Sequence, residues 1–305
     1  MSEEPFDTLF IMQNEEGERL DKILAMRFKK IYSRSYFQYL IDEHLVLLNG
    51  EPVKKRIKPK TGDEIEIQFS ALPDLKLLPE DIPLSILFED DYILAINKPA
   101  GMVVHPALGN WSGTFVNALL YHCHSLPNPD QSLRPGIVHR LDKETTGVLL
   151  AAKTLEAQQK LTELFASRQV YKEYLAICLG KPSQEEIKAP IGRHPIHRKQ
   201  MTVIPNGKEA ITIPKILKSN GKFSLVQLVI LTGRTHQIRV HLKYVNAPII
   251  GDSTYGNLSI NKHLHVSRQL LHAASVKFHH PITNELLEIR ADLPTDMENF
   301  ILKNF

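Results

Sequence analysis

Apolar positions change period several times along the chain, and the changes divide it. From Glu18 the spacing is helical, with Leu20, Ile23, Leu24 and Phe28 on one face and Arg19, Lys22, Arg27, Lys29 and Lys30 on the others. A second helix is expected after Ser33, a candidate N-cap, with Phe37, Leu40 and Ile41 facing inward. Residues 45–48 then run into Asn49-Gly50, the strongest short hairpin signal, and Ile65, Ile67 and Phe69 alternate as a strand. The acidic residues 1–17 show no clear period and read as a tail or an edge strand.

Pro73, Pro79 and Pro83 punctuate residues 71–84, a composition that stiffens a connector. Beyond it come an apolar strand at 92–97, the turn Lys98-Pro99-Ala100-Gly101 and a short helix at 114–120. Ile137 and Val138 precede a charged centre, and residues 148–152 follow it. That predicts strand, loop, strand, with Gly147 freeing the end of the loop. Leu161, Leu164 and Phe165 predict a helix over 155–168, and 169–179 a strand containing Tyr171 and Tyr174. The segment IGRHPIHRKQM, 191–201, is a basic loop without helical period. Residues 225–231 form a buried strand broken by Gly233. Thr235 then caps a helix that buries Ile238, Leu242 and Val245 and ends before Pro248. The expected organisation is a small domain over 1–72, a linker over 73–84 and a larger domain over 85–305.

At 305 residues the chain is long enough for two domains, and 43% hydrophobic with 23% charged residues is ordinary for a globular protein. A net charge of +3 says little about partners. Residues 1–72 hold 11 Lys/Arg against 13 Asp/Glu, so a positive field there must come from grouping, as at Lys54, Lys55, Arg56, Lys58 and Lys60. Cys123 and Cys178 form no C-x-x-C pair, which fits a reducing compartment and argues against structural zinc. His122-Cys123-His124 lacks converging ligands and is not read as a metal site. No stretch approaches 18 apolar residues and the start, MSEEPFDTLF, is unlike a signal peptide, so a soluble cytoplasmic protein is expected. The nucleotide-binding and zinc-protease motifs G-x-x-x-x-G-K-[ST], G-x-G-x-x-G and H-E-x-x-H are absent.

The chemistry concentrates at Asp142, flanked by Arg140 and Lys143. Neighbouring cations favour an ionised carboxylate, which suits nucleophilic or electrostatic catalysis at a sugar carbon better than proton donation. Taken alone, the same residues also describe a surface loop with a local ion pair.

HRLDKETTG, 139–147, with the VLLAAKT that follows, closely resembles the central motif of the RluA-type pseudouridine synthases. INKPAGMVVHP, TGRTHQIRVHL, GDSTYG, RQLLHA and HHPITNE continue the likeness over roughly residues 85–295. The resemblance implies an α+β fold, a large mixed and mostly antiparallel sheet flanked by helices, with Asp142 as the catalytic nucleophile. It implies that Arg239, in Q-I-R, pairs with Asp142, and that Tyr174, in K-x-Y, stacks on the base and assists removal of the C5 proton. Replacing Arg239 by alanine is then expected to stop turnover and spare the fold. Arg140 is expected to fill the space left by an extruded nucleotide. His139, Arg193, Arg198, Lys199 and Arg234 are taken as RNA contacts. ERLDKILA, SRS, LVLLNGEPV and TGDEIEI resemble the S4 RNA-binding domain, a small α/β unit, implying further contacts from Arg19, Lys22, Arg34, Lys54, Lys55 and Arg56.

HPALGNWSGTFVNALL, RPGIVHRLDKETTG and GRHPIHRKQM are most similar to the ribosomal branch of that family, although Glu144 and Thr146 stand where Asp and Ser are commoner. The implied partner is large-subunit (23S) rRNA or a pre-ribosomal particle, met by a monomer that needs no metal, nucleotide or other cofactor. The same chemistry on tRNA, a nucleotide-directed glycosidase, and a non-catalytic S4-type RNA-binding or ribosome-assembly factor are the competing readings.

Overall fold

The computed structural model describes residues 6–28, 32, 34–54, 56–70, 77–106, 112–123, 126, 134–197 and 200–305. Lys29, Lys30, the proposed cap Ser33, Lys55, residues 73–76 of the expected linker, His124, Arg198 and Lys199 lie outside the described residues. The chain divides into two compact units, 1–76 and 77–305.

In the first unit the acidic N-terminal stretch supplies an edge strand, β1 (Phe6–Phe10). It is followed by α1 (Leu20–Arg27), α2 (Arg34–Asp42), β2 (Val46–Leu48), β3 (Glu51–Pro52) and β4 (Glu64–Gln68), in a sheet of order β1-β4-β2-β3. The helical and alternating apolar patterns meet in one core: Leu20, Leu24, Phe37, Leu40, Ile65 and Ile67 are fully buried. Asn49 (φ 51°) and Gly50 (φ 80°) turn the β2–β3 hairpin, both in the left-handed region that a tight hairpin needs. Asp21 is also fully buried, and it accepts hydrogen bonds from Arg19, Arg34 and Gln38. Both arginines are thereby held on one side of the helix pair while staying partly exposed.

The second unit contains β5 (Ile86–Glu89), β6 (Ile93–Lys98), α3 (Phe115–Cys123), β7 (Thr146–Ala152), α4 (Leu155–Ala166) and β8 (Tyr171–Leu179). There follow β9 (Ile187–Lys188), β10 (Ile191–Arg193), β11 (Met201–Val203), β12 (Ile211–Ser219), β13 (Phe223–Ile230) and α5 (Gln237–Tyr244). The chain ends with α6 (Leu258–His263), β14 (Leu271–His279), β15 (Leu286–Arg290) and α7 (Thr295–Asn304). Nine strands form one sheet, β5-β6-β7-β14-β8-β13-β12-β9, with β15 also paired to β14. Every pair is antiparallel except β7 with β14.

Both faces are covered, which explains why β7 reads as an unbroken apolar run rather than an alternation. Leu149 and Ala151 pack with Phe115 and Leu119 of α3 and Ile238 and Leu242 of α5. Val148 and Leu150 pack with Ala157 and Leu161 of α4 on the opposite face.

Three local expectations change. Ile137 makes only an isolated bridge to Ala151, so the 139–145 loop leaves an irregular segment rather than a strand. Ile191–Arg193 pairs with Met201–Val203, β10 with β11, where a loop was expected. Helix α5 starts one residue later than expected: its N-cap is His236, in the left-handed conformation at φ 57°, not Thr235. Among the described residues no helix is long and apolar enough to cross a membrane.

Candidate active site

The loop carrying Asp142 is short and polar, and it is held from outside. Lys98, at the end of β6, is fully buried and donates to the carbonyls of Pro99 (2.7 Å), Met102 (3.0 Å) and Lys143 (3.0 Å). All three of its N–H groups thus have partners, while burial draws its pKa down to about 7 against the pull of Glu144 and Asp142. From the other side Arg268 donates to the Glu144 carbonyl (3.1 Å) and Gln269 to the Thr145 hydroxyl (2.9 Å). The Thr146 hydroxyl meets His272 Nδ1 at 2.9 Å. At the loop's exit Gly147 (φ 109°) runs beside Ala273 in the one parallel strand pair, where a Cβ would stand 2.2 Å from the Ala273 carbonyl oxygen. Within HRLDKETTG, Thr145, Thr146 and Gly147 are thus accounted for by the contacts that hold the loop in place.

Asp142 itself lies at an open cleft, lined also by Arg140, Thr145, Tyr174, Ile230, Arg234, His236 and Arg239. Its side chain is 17% exposed, and Oδ2 accepts from Arg239 Nη1 at 2.9 Å. The same guanidinium grips Asp252 in a bidentate pair, Nε to Oδ2 at 2.7 Å and Nη2 to Oδ1 at 3.0 Å. Asp252 is fully buried. Burial opposes its charge, but Arg239 and the backbone N–H groups of Tyr255 and Thr254 outweigh that and hold its carboxyl below the usual range. The Arg239 guanidinium lies 5.0 Å from the centre of the Tyr255 ring, and its pKa is raised, with Asp252 and Asp142 overcoming the cost of burial. The result is a permanent cation whose direction is fixed before it reaches Asp142.

Tyr174 sits in β8, almost fully buried, with its neighbours in the sheet at Ala273 and Leu228. Burial, reinforced by the Asp142 charge, pushes its phenol up, so it stays protonated at neutral pH. His236 lies on the other side, with Nε2 3.9 Å from Asp142 Oδ1 and Nδ1 2.8 Å from the Tyr255 hydroxyl.

The structure thus brings Asp142, Arg239, Tyr174, Arg140 and Arg234 to one cleft. The cation bonded to Asp142 is Arg239, not its sequence neighbours, since Arg140 and Lys143 are exposed and the Lys143 carbonyl faces Lys98. Arg234 donates to the Glu209 carbonyl at 2.9 Å, and Arg193 is exposed on β10. His139 does not join them. Its Nε2 accepts from the Leu150 N–H (2.8 Å) and its ring stacks on Phe165 of α4 at 4.7 Å. Burial, together with the charge of Lys172, lowers its pKa to about 3, so it is a neutral packing group behind the loop. In the first unit Lys54 and Arg56 are exposed and Lys22 is paired with Glu18. Reading the sequence missed the roles of Lys98, His236 and Asp252. Each stood inside a quoted motif, and a buried-charge role leaves no periodic signal.

The cleft gathers a caged carboxylate and a protonated phenol, and a separate small unit is built of two helices and a short sheet. The sequence model for RNA pseudouridylate synthase matches residues 92–244, and that for the S4 domain matches residues 18–65. The chain belongs to the RNA pseudouridylate synthase family and is an RNA pseudouridine synthase, an isomerase. It is 42% identical over 303 residues to ribosomal large subunit pseudouridine synthase D of Pasteurella multocida (strain Pm70), covering 95% of this chain and 92% of that one. It is 40% identical over 291 residues to an uncharacterized RNA pseudouridine synthase of Bacillus subtilis (strain 168), covering 95% of each. Among solved structures, human RNA pseudouridylate synthase domain containing 4 is similar at 27% identity and a TM-score of 0.57, over 72% of this chain and 92% of that one.

Proposed function

We propose that this enzyme converts specific uridines to pseudouridine in a stem-loop of large-subunit ribosomal RNA, with Asp142 as the nucleophilic carboxylate acting at C1′ of the target. The observation that carries the reading is the Asp142–Arg239 pair at the cleft, in which a cation fixed by a second carboxylate holds the first one in place. Uracil leaves C1′, turns and rejoins through C5, so the bond energy stays within the substrate and no cofactor is called for. A target uridine has to swing out of its stack, at a cost of a few kcal/mol that loop RNA lowers. Arg140, exposed at the rim, is suited to occupying the vacated space. Tyr174 is suited to lying against the base and assisting the C5 proton.

Support for a ribosomal substrate comes from relatives named ribosomal large subunit pseudouridine synthase D in Pasteurella multocida and Nitrosomonas europaea. Arg19, Lys22, Arg34, Lys54 and Arg56 in the S4 unit, and Arg193 and Arg234 in the larger unit, would meet phosphates, which position RNA without reading its sequence. Cys123 and Cys178 are both free, in keeping with action in the cytoplasm.

Asp252 weakens the glycosidase alternative. The other carboxylate on Arg239, Asp252, is wholly buried and cannot serve as the acid across a glycosidic bond. Mapping pseudouridines in total RNA from cells with the intact chain or with Asp142→Asn tests the proposal. Large-subunit sites should vanish in the variant. Loss confined to tRNA, or no loss, would overturn it.

A further inference from the structure

The two oxygens of Asp142 are used differently. Oδ2 accepts from Arg239 at 2.9 Å. Among the described residues Oδ1 accepts no hydrogen bond, and His236 Nε2 stands 3.9 Å from it. That is too long for a direct bond. One oxygen atom placed about 2.8 Å from each, however, would be bonded to both.

The surroundings decide which way the imidazole faces. With the Tyr255 hydroxyl oxygen already accepting from the Met201 N–H at 2.8 Å, the arrangement that gives the phenol's own hydrogen a partner is donation to His236 Nδ1, also at 2.8 Å. An accepting Nδ1 puts the imidazole hydrogen on Nε2, the atom turned toward Asp142. Burial lowers the pKa of this histidine, with Asp142 pulling the other way, so the neutral form is the one present. Tyr255 is itself fixed, its N–H on Asp252 Oδ1 at 2.9 Å and its ring beneath the Arg239 guanidinium. His236 is also one of the few non-glycine residues with positive φ, at 57°, and as N-cap of α5 it makes no side-chain capping bond. A strained backbone that aims a side chain into a cleft instead of at its own helix is typical of a functional position.

Asp142 and His236 therefore present an acceptor and a donor, one oxygen's width apart, to the cleft. Near C1′ of a uridine the ring oxygen can only accept, whereas the 2′-hydroxyl both accepts and donates. We propose that His236 Nε2 and Asp142 Oδ1 together hold the 2′-hydroxyl of the target ribose, and that His236 positions the sugar and makes the site demand RNA rather than DNA. The inference rests on Asp142 acting at C1′.

The test uses a synthetic stem-loop spanning one mapped uridine, made with ribose, 2′-deoxyribose or 2′-fluoro-2′-deoxyribose at that position alone. Single-turnover conversion to pseudouridine is followed with the wild-type chain, His236→Ala and Tyr255→Phe. The wild type should lose at least about tenfold with 2′-deoxyribose, and the 2′-fluoro sugar should be slower still, since fluorine cannot donate to the carboxylate and also opposes charge at C1′. In His236→Ala the ribose reaction should slow and the ribose-to-deoxyribose ratio should shrink to about threefold or less. Tyr255→Phe keeps the ring under Arg239 but removes the hydroxyl that sets the tautomer, so it should lower the ratio part-way. That variant carries the test if His236→Ala does not fold. The same ratio in the wild type and the variant tested, or a wild type indifferent to the 2′ group, overturns the proposal. Failure of the catalytic reading would look different: no pseudouridine from the unmodified RNA with the wild-type chain.

Discussion

Arg239 holds two carboxylates at once, Asp252 through Nε and Nη2 and Asp142 through Nη1. The planar fork is what allows this, and a lysine, a single point of charge, cannot reproduce it. Arg239→Lys should therefore lose roughly 100-fold or more in kcat, since an error of about 1 Å in placement costs that much. Arg239→Ala should do more than stop turnover. It leaves Asp252 charged, buried and without its guanidinium, which costs about 3–5 kcal/mol in urea unfolding. That reverses the expectation, drawn from the sequence, that alanine here would spare the fold. An unfolding midpoint equal to wild type would refute the structural half.

Asp142→Asn keeps shape and an acceptor for Arg239 while removing the charge. Turnover should fall by about 10³-fold or more, as when a catalytic carboxylate is removed. Stability should move by less than about 1 kcal/mol, because the side chain lines an open cleft and Arg239 keeps Asp252. Single-turnover rates and a thermal melt read both. A variant with a tenth of the wild-type rate would exclude Asp142 as the reacting group.

Gly147→Ala should unfold the loop's exit. The added methyl would meet the Ala273 carbonyl oxygen at 2.2 Å, backbone that cannot swing aside, at a φ of 109° that L residues rarely adopt. Destabilisation of at least about 2 kcal/mol is expected. Soluble yield and midpoint at wild-type levels would contradict this.

Acid should loosen the support behind the loop. The pKa of His139 is about 3 in the fold against 6.5 in a free chain, because burial first, and Lys172 next, disfavour its cation. The unfolded state takes up a proton at 6.5 and the folded state only near 3. The contribution of this histidine is thus complete above pH 6.5 and lost as pH falls toward 3, at most about 1.4 kcal/mol per pH unit. His139→Gln, which can still accept from Leu150, should flatten the decline in unfolding free energy over that window. A variant as acid-sensitive as wild type would assign the effect to other buried histidines such as His241 and His272, whose pKa values burial also lowers.

RNA binding should weaken with salt, in part through the β3–β4 connection. Replacing the exposed Lys54 and Arg56 by alanine should reduce the slope of log affinity against log salt by about 0.7–0.9 per lost phosphate contact. Filter binding across a salt series measures it. An unchanged slope would mean that this edge of the S4 unit faces away from RNA.

What could be read in the chain depended on distance. The apolar periods located α1, α2, β4, β7, β8 and α5 because each pattern is written in neighbouring residues. The link between Asp142 and Arg239, 97 residues apart, came only through likeness to a family. Asp252 escaped notice because a buried acid looks like any other Asp until its partners are known. His139 was misread for a related reason: adjacent residues on an extended segment point to opposite sides, so lying next to Arg140 placed it behind the cleft rather than in it. The pairing of β10 with β11 was hidden by its brevity, three paired residues on each strand.

The one parallel strand pair has a consequence for synthesis. Its partners, and the residues that hold 144–146 from the C-terminal side, lie about 125 positions downstream at Arg268, Gln269, His272 and Ala273. A nascent chain emerging from the ribosome would carry its carboxylate on a loop held only from the Lys98 side until those residues are made. Such a long-range closure comes late in folding, and the enzyme would gain its competence only as the final strands are released.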